Sequence, residues 1–519
     1  MNILGLADGP DAGAALLVNN RVVAAVEQER LDRRPHSRAF PWDAAEACLE
    51  VAGLAPGDID MVAVAGRFSP PFFLRRHPSL RGLARDAFSP LLDIEVFYQA
   101  MLRQSGFGAL EADRAADWLH GRLRERGYGM RRTHLVDLHR CLAEAAHRCQ
   151  ASDPVLVVTA HPNGDGSGLA AYRGAAGQLD RIWAQKGFAS LHVHLRRCIA
   201  AMGAPTDDVS AIWAVAIGAD PDPDLVGHLD ELLHAEGRRL SRKRYPFPER
   251  RSDYEPIARV PLAVAAASLQ ENLARAITAV VRAHARDTGL RHVALGGGVF
   301  EDPRLVSRVA ALAEVEVVSA PPLRGWSSLA LGAAASVGGL APAPLRGPGL
   351  GTLISEAQGA SSLGGRRAEA ASTEAVAGLL LRGVGVARAT GRGGFGRHGG
   401  GTRSVLCTLE GLPGAALALG RDVREAVWLS LGDEAAALAG VRWGESPVGP
   451  GPVQAILADD DPTLASVLRH LEARGHAILA ALPLGIAREP SAERARDALD
   501  VFTRSSLEAL WLGPHLIRR

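Results

Sequence analysis

The groups in this chain best suited to proton transfer are His161, Asp165, Glu144 and His398. An imidazole or carboxylate held beside a reacting hydroxyl acts as general base or acid. Two of the four lie in Val155–Gly174, VLVVTAHPNGDGSGLAAYRG, where a glycine-rich turn lets backbone N–H groups approach a phosphate. A tight turn needs the same glycines, so the turn alone favours a structural reading. His134, Asp137, His139 and His147 precede it closely, and imidazole with carboxylate suits zinc or iron. His139 and His147 are two helical turns apart, however, more than about 10 Å along the axis. They cannot share one ion, and these histidines are expected to be solvated or hydrogen-bonded. A second glycine-rich stretch, GRGGFGRHGGGTRS at 391–404, carries Arg392, Arg397 and Arg403. Such a loop can form a basic patch for an anion or simply face solvent.

The elements that must hold these residues follow a repeated grammar. VLVVTA, a glycine-rich turn and LAAY read as a hairpin. The chain opens the same way, with NILGLA, DGPDAG and AALLV leading through Asn19–Asn20 into RVVAAVEQE. Two such hairpins, each followed by a helical stretch, suggest two related lobes around a cleft. FPWDAAEACLEVAGL reads as a helix stopped at Gly53, and MVAVAG as a buried strand. Residues 69–130 form an irregular insertion with two proline-flanked helices. HLVDLHRCLAEAAHRCQA reads as one helix, and the run from Gly218 to Glu255 as a polar segment. A long amphipathic helix, VPLAVAAASLQENLARAITAVVRAHARDTG, then precedes HVALGGGVFEDPRLVSRVAAL, read as strand, glycine turn and helix. The proline- and glycine-rich stretch 341–351 marks the main boundary, between 1–340 and a separate α/β domain at 352–519.

Composition narrows the class. With 519 residues and 47% hydrophobic content, three domains or lobes are expected. A net charge of +1 gives no global pull toward nucleic acid or membrane. No apolar run approaches the roughly 20 residues of a membrane span. The five cysteines are scattered without a CxxC, which fits a reducing cytoplasm. The basic run GRRLSRKRYPFPERR at 237–251 reads as a solvated loop or a contact for an acidic partner.

Three stretches, VAAVEQERLDRRPH, SLQENLARAI…VALGGGVFEDPRL and LALGAAA, resemble O-carbamoyltransferases of the NodU/CmcH/TobZ type. GRGGFGRHGGGTRSVL and DALDVFTRSSLEALWLGPHLIRR resemble that family's second domain, so the likeness runs end to end. It implies an α/β fold: a Kae1-like pair of lobes of the actin/Hsp70 class, followed by a YrdC-like domain. It also implies carbamoyl-adenylate formation from carbamoyl phosphate and ATP, then transfer to an alcohol at a metal-bearing site, often in secondary metabolism.

The family's reactive groups do not carry over. Its HHLAHAA pattern falls on 140–146, which puts Arg140 and Glu144 at the two ligand positions, and its metal-binding aspartate falls on Trp326. A dication about 4 Å from Arg140 would be disfavoured by roughly 8 kcal/mol at an effective dielectric of 20. Arg140 and Glu144, at i,i+4, are better placed to pair with each other, so no metal and no iron are expected. The family's LDGGGDG becomes AHPNGDG, with His161 in place of the acid. Its DGTARVQ becomes VGPGPVQ, and its NTSFN becomes ALPLG at 481–485, removing carbamoyl-phosphate donors. PDAGA at 10–14 lacks the family's histidine, whereas Glu29, Arg30, Arg33 and His36 keep their places, with Glu29 and Arg33 spaced to pair. Gly296, Gly297, Gly298 and Asp302 stand where an ATP or other nucleotide phosphate and ribose would sit. The same glycines also make a tight strand-to-helix turn. The expectation is a non-catalytic homologue that partners an intact carbamoyltransferase paralogue, or itself. The alternatives are a metal-free acyl or carbamoyl transfer using His161, Asp165, Glu144 and His398, and an unaltered ATP-dependent O-carbamoyltransferase.

Overall fold

A computed structural model describes residues 1–9, 11–77, 86–148, 153–185, 191–204, 209–242, 250–320, 328–338, 349–396, 399–432, 442–444 and 451–519. The first lobe begins with the meander β1 (Asn2–Ala7), β2 (Gly13–Val18) and β3 (Arg21–Glu27). Helices α1 (Gln28–Asp32) and α2 (Trp42–Ala52) lead to β4 (Met61–Ala65). Among the described residues the insertion holds three helices rather than two: α3 (Phe72–Arg76), α4 (Pro90–Gln104) and α5 (Phe107–Arg124). Strand β5 (Thr133–Val136) completes a sheet of order β3-β2-β1-β4-β5, with β1, β4 and β5 parallel. The stretch read as one helix from His134 is therefore split. HLV belongs to β5, and α6 starts only at Leu138 (Leu138–Arg148), because an apolar, branched run pairs with β4 before Asp137 turns the chain.

The second lobe repeats the plan. β6 (Val155–Gly164), β7 (Ser167–Ala175) and β8 (Gln178–Ala184) form the meander. Then follow α7 (Leu191–Ala201), α8 (Val209–Val215), α9 (Pro223–Leu232), β9 (His234–Glu236), β10 (Arg239–Ser241), α10 (Glu255–Ala258) and α11 (Leu262–Thr288). β11 (His292–Gly296), α12 (Pro303–Ala310) and β12 (Val317–Ser319) close it. Its sheet runs β8-β7-β6-β11-β12, with β6, β11 and β12 parallel. The order and directions match the first sheet strand for strand. The supposed polar segment thus holds a helix and a hairpin. Asp222 caps α9, Pro223 sits in its first turn, and Leu225, Val226, Leu229 and Leu232 are buried at helical spacing.

Helix α13 (Ser328–Val337) returns to the first lobe and lies against β1, β2, β4 and α6. Close approach dictates the small residues here. A Cβ on Gly5 would stand 1.9 Å from the Ala330 carbonyl oxygen, and one on Gly332 would stand 1.8 Å from that of Cys141. Helix α6 packs α13 on one side and β6 and β11 on the other, so it is the shared wall between the lobes.

Beyond residue 348 a mixed sheet follows. A small pair joins β13 (Leu353–Ile354) to β16 (Gly391–Arg392). The main sheet uses β14 (Glu369–Ala370), β15 (Val386–Ala389), β17 (Arg403–Cys407), β18 (Val427–Leu431), β19 (Arg442–Gly444), β20 (Gly451–Ile456), β21 (Leu479–Pro483), β22 (Ala509–Leu512) and β23 (His515–Arg518). Its nine strands run β14-β23-β22-β15-β17-β21-β18-β20-β19. Helices α14 (Glu356–Ser362), α15 (Thr373–Leu381), α16 (Leu412–Leu419), α17 (Pro462–Glu472) and α18 (Ala495–Arg504) accompany it, with one apolar core on each face. The fold class is α/β, a two-lobed region followed by a third unit. Among the described residues no helix is long and apolar enough to cross a membrane.

Candidate functional site

Asp165 occupies the β6–β7 turn with Gly166, both with positive φ (51° and 80°), the backbone signs of a two-residue type I′ turn. Its carboxylate is fully buried and accepts three backbone N–H groups: Arg67 and Leu138 on Oδ2 and Phe68 on Oδ1, each at 2.8 Å. Its own N–H donates to Ser69 Oγ at 3.2 Å. The second lobe's hairpin is thereby pinned to the loop after β4 and to the start of α6. This aspartate is an acceptor clamp between lobes, a different task from the acid–base role considered for it.

Glu144, a second acid–base candidate, lies on α6 with Arg140. The two form an ion pair of 2.5 Å, and a further Arg140 N–H donates to the Leu179 carbonyl. His161 is buried within β6. His139 is buried too, with Nδ1 2.8 Å from Thr159 Oγ1 and Nε2 2.9 Å from the Ser167 carbonyl oxygen. Burial lowers the basicity of His147 and, with Arg132 nearby, of His134. Trp326, Arg397 and His398 lie outside the described residues.

The glycine turn after β11 is shaped by packing. Gly297 has φ 117°, and a Cβ there would stand 1.9 Å from the Ala160 carbonyl oxygen; one on Gly296 would meet that of Leu142 at 2.8 Å. Gly298 opens a single 3-10 turn, and Asp302 caps α12 by accepting the Arg304 N–H at 2.9 Å. Burial raises the Asp302 pKa. Gly297→Ala is expected to destabilise the chain by about 3 kcal/mol through overlap and backbone strain, read as a lowered urea midpoint. An unchanged midpoint would show that β6 yields at no cost.

The two described arginines of the glycine-rich loop are consumed internally. Arg403 is buried, and each of its five N–H donors meets a backbone carbonyl: Glu493, Thr390, Thr402, Thr352 and Gly391, at 2.8–3.1 Å. Burial brings its pKa down to about 10. Arg392 donates to the carbonyls of Val23 at 2.6 Å and Leu350 at 2.8 Å. The open anion patch considered for this loop does not form from these two residues, because backbone carbonyls at the domain seam take the donors first.

That seam also holds buried charge. Arg30 pairs with Glu27 at 2.6 Å and Glu493 at 3.6 Å, and donates to the carbonyls of Gly394 and Gly396 at 2.5 and 2.6 Å. Glu493 Oε1 accepts the Thr352 N–H at 2.7 Å and its hydroxyl at 2.9 Å. Glycines at 351 and 393 make room for this carboxylate, since a Cβ there would stand 2.4 or 2.5 Å from it. The spacing of Glu29 and Arg33 does not produce a pair. Arg33 ends α1 in the left-handed region (φ 59°) and reaches the Ser491 carbonyl oxygen at 2.8 Å and Glu489 at 3.4 Å. Glu29 accepts the His36 N–H at 2.7 Å.

One convergence was missed from the sequence. Asp11, Glu29 and His36 bring one ligand atom each within 4.8 Å of one another, and His36 Nδ1 stands 2.7 Å from Asp11 Oδ1. One imidazole and two carboxylates match the preferences of a first-row divalent cation. Burial and Asp11 raise the Glu29 pKa. Glu29 and His36 had been noted singly; Asp11 joins them only because β2 and β3 fold back and bring the two loops together.

Residues 2–69 match the family described as Carbamoyltransferase N-terminus. That N-terminal segment is similar to the N-terminus of carbamoyltransferases. The chain is 27% identical over 342 residues to the nodulation protein NolNO of Sinorhizobium fredii (strain NBRC 101917 / NGR234), a match over 62% of this chain and 45% of that protein. It thus spans less than half the length of this curated relative. Among solved structures, a ROK hexokinase from Thermus thermophilus aligns with TM-score 0.32 and 15% identity, over 64% of this chain and 97% of that one. Full-length HypF aligns with TM-score 0.33 and 12% identity, over 66% and 47%. The matched segment contributes Asp11, Glu29, Arg30 and His36, the same stretch that meets the C-terminal unit.

Proposed function

We propose that this chain is a carbamoyltransferase homologue, non-catalytic on its own, that acts as a partner or regulatory subunit of an active carbamoyltransferase in secondary metabolism. The observation that carries this reading is the Arg140–Glu144 ion pair on the helix between the lobes. A metal clamp there would need two neutral or anionic ligands on one helical face. Instead a guanidinium and a carboxylate neutralise each other. Three other arrangements support the reading. Asp8, at the end of the first strand, is ion-paired at 3.1 Å with the buried Arg75. Asp165 is saturated by backbone donors. Arg403 spends its whole fork on carbonyls, leaving it no N–H for a phosphate.

Purified protein supplied with ATP, carbamoyl phosphate and labelled pyrophosphate is expected to give no carbamoyl-phosphate-dependent exchange above background. Exchange by this polypeptide alone would sink the proposal. A second reading, a scaffold repurposed for a different transfer, draws on the Asp11–His36 contact, where a carboxylate orients an imidazole as it does for a general base. Activity toward an acyl or carbamoyl donor that is lost in His36→Gln would favour it.

A further inference from the structure

The helical insertion exposes apolar side chains that no element of the described chain covers. On α4, Leu91, Ile94, Tyr98 and Met101 recur at i, i+3, i+7 and i+10, and are 48%, 59%, 36% and 44% exposed. Phe107 (74%) and Leu110 (56%) add a neighbouring stripe at the start of α5. Leu92, well over a quarter-turn from that stripe, packs inward against Val193 of α7 in the second lobe, and Leu102, beside the stripe near the end of the helix, meets Phe68 and Ala112 of the first. Helix α4 is therefore apolar on two sides, as a helix is when it has neighbours on both.

The turn between α4 and α5 is fixed. A Cβ on Gly108 would stand 2.1 Å from the Leu102 carbonyl oxygen, so the hairpin closes tightly. The stretch before α4 is held as firmly. Arg197 donates to the Ala87 carbonyl at 3.2 Å, and the Phe88 ring lies 5.5 Å from that of Tyr254. The exposed stripe thus sits on a rigid platform and loses little freedom when it is covered.

We propose that the α4–α5 hairpin is the pairing surface for a second copy of this chain, with the two hairpins packed antiparallel as a four-helix bundle about a twofold axis. The 3-4-3 spacing is the seam that helix pairs use, and a twofold axis sets the same stripe against itself. Size favours this occupant. Six large apolar side chains, each about half exposed, present on the order of 600 Å², at the upper end for the largest patch on a monomer. Doubled by symmetry this is about 1,200 Å², where specific interfaces begin, before any polar rim is counted. The proposal does not rest on the chain being non-catalytic, because a pairing hairpin serves an active or an inactive scaffold equally.

Sedimentation equilibrium of the full chain across micromolar concentrations should return twice the 54.6 kDa chain mass. Ile94→Glu with Met101→Glu should weaken the dimer by at least about a hundredfold while leaving the far-ultraviolet circular dichroism unchanged. Leu417→Glu, at a site 83% exposed on the C-terminal unit, should leave the dimer intact. In the unmutated chain, hydrogen exchange along α4 should slow as concentration rises. A monomer at every concentration would overturn the proposal, whether or not a different protein later proves to cover the stripe. So would a dimer that survives the double substitution, or one that Leu417→Glu also dissolves.

Discussion

Asp165→Ala should lower the free energy of unfolding by about 4 kcal/mol, the largest single-residue effect expected in this protein. The alanine leaves the N–H groups of Arg67, Phe68 and Leu138 without their acceptor, and an orphaned buried donor costs about 1–3 kcal/mol. It also places an ordinary Cβ at φ 51°, a further 1 kcal/mol or so. Asp165→Asn should also be harmful, because its amide would point N–H groups at N–H groups on one side of the clamp. Urea denaturation measures both. A loss under about 1 kcal/mol for the alanine variant would mean that the lobes are held together elsewhere. The same substitution would have been chosen to test catalysis, and its expected effect on stability shows why lost activity there would say nothing about chemistry.

Stability should also fall as the solution becomes less acidic, through Glu27. Burial drives its pKa up from the ordinary 4.5 to about 7; Arg30 opposes the rise, and the nearby carboxylates Glu29, Asp11 and Glu493 add to it. A raised folded-state pKa means that, between those two values, the folded chain holds a proton the unfolded chain has released. Its contribution is complete below about pH 4.5 and is lost as pH rises through about 7. The size is about 3 kcal/mol, from roughly 1.4 kcal/mol per pKa unit. Glu27→Gln keeps the shape and removes the titration. Urea midpoints at about pH 5 and pH 8 should therefore converge in the variant and diverge in the parent. Parallel losses in the two chains would remove Glu27 as the cause.

Local grammar carried the architecture and stopped short of the site. Alternating apolar strands around Asn19–Asn20 and Asp165–Gly166 made both hairpins legible, and Gly53 marked the end of α2, because each signal acts within a few residues. What Asp165 does was not legible. Its three donors come from positions 67, 68 and 138, brought to it only when two lobes meet. Arg403 was misread for the same reason: an arginine among glycines looks exposed until five backbone carbonyls are aimed at it. Glu493 had no local mark, and its clearest sign, glycines at 351 and 393 with no room for a Cβ, appears only once the seam is assembled. Asp11, Glu29 and His36 converge through strand pairing that no spacing rule encodes.

Helix α13 covers the first sheet, yet it is made only after the entire second lobe. A nascent chain on the ribosome thus exposes the inner face of β1, β2 and β4 until about residue 337 has emerged. The earliest strands wait for one of the latest helices of the two-lobed region, a long-range dependence that slows folding and prolongs exposure of sticky surface. Fragments ended before Ser328 should collect in inclusion bodies, whereas those that include the helix should remain in the supernatant.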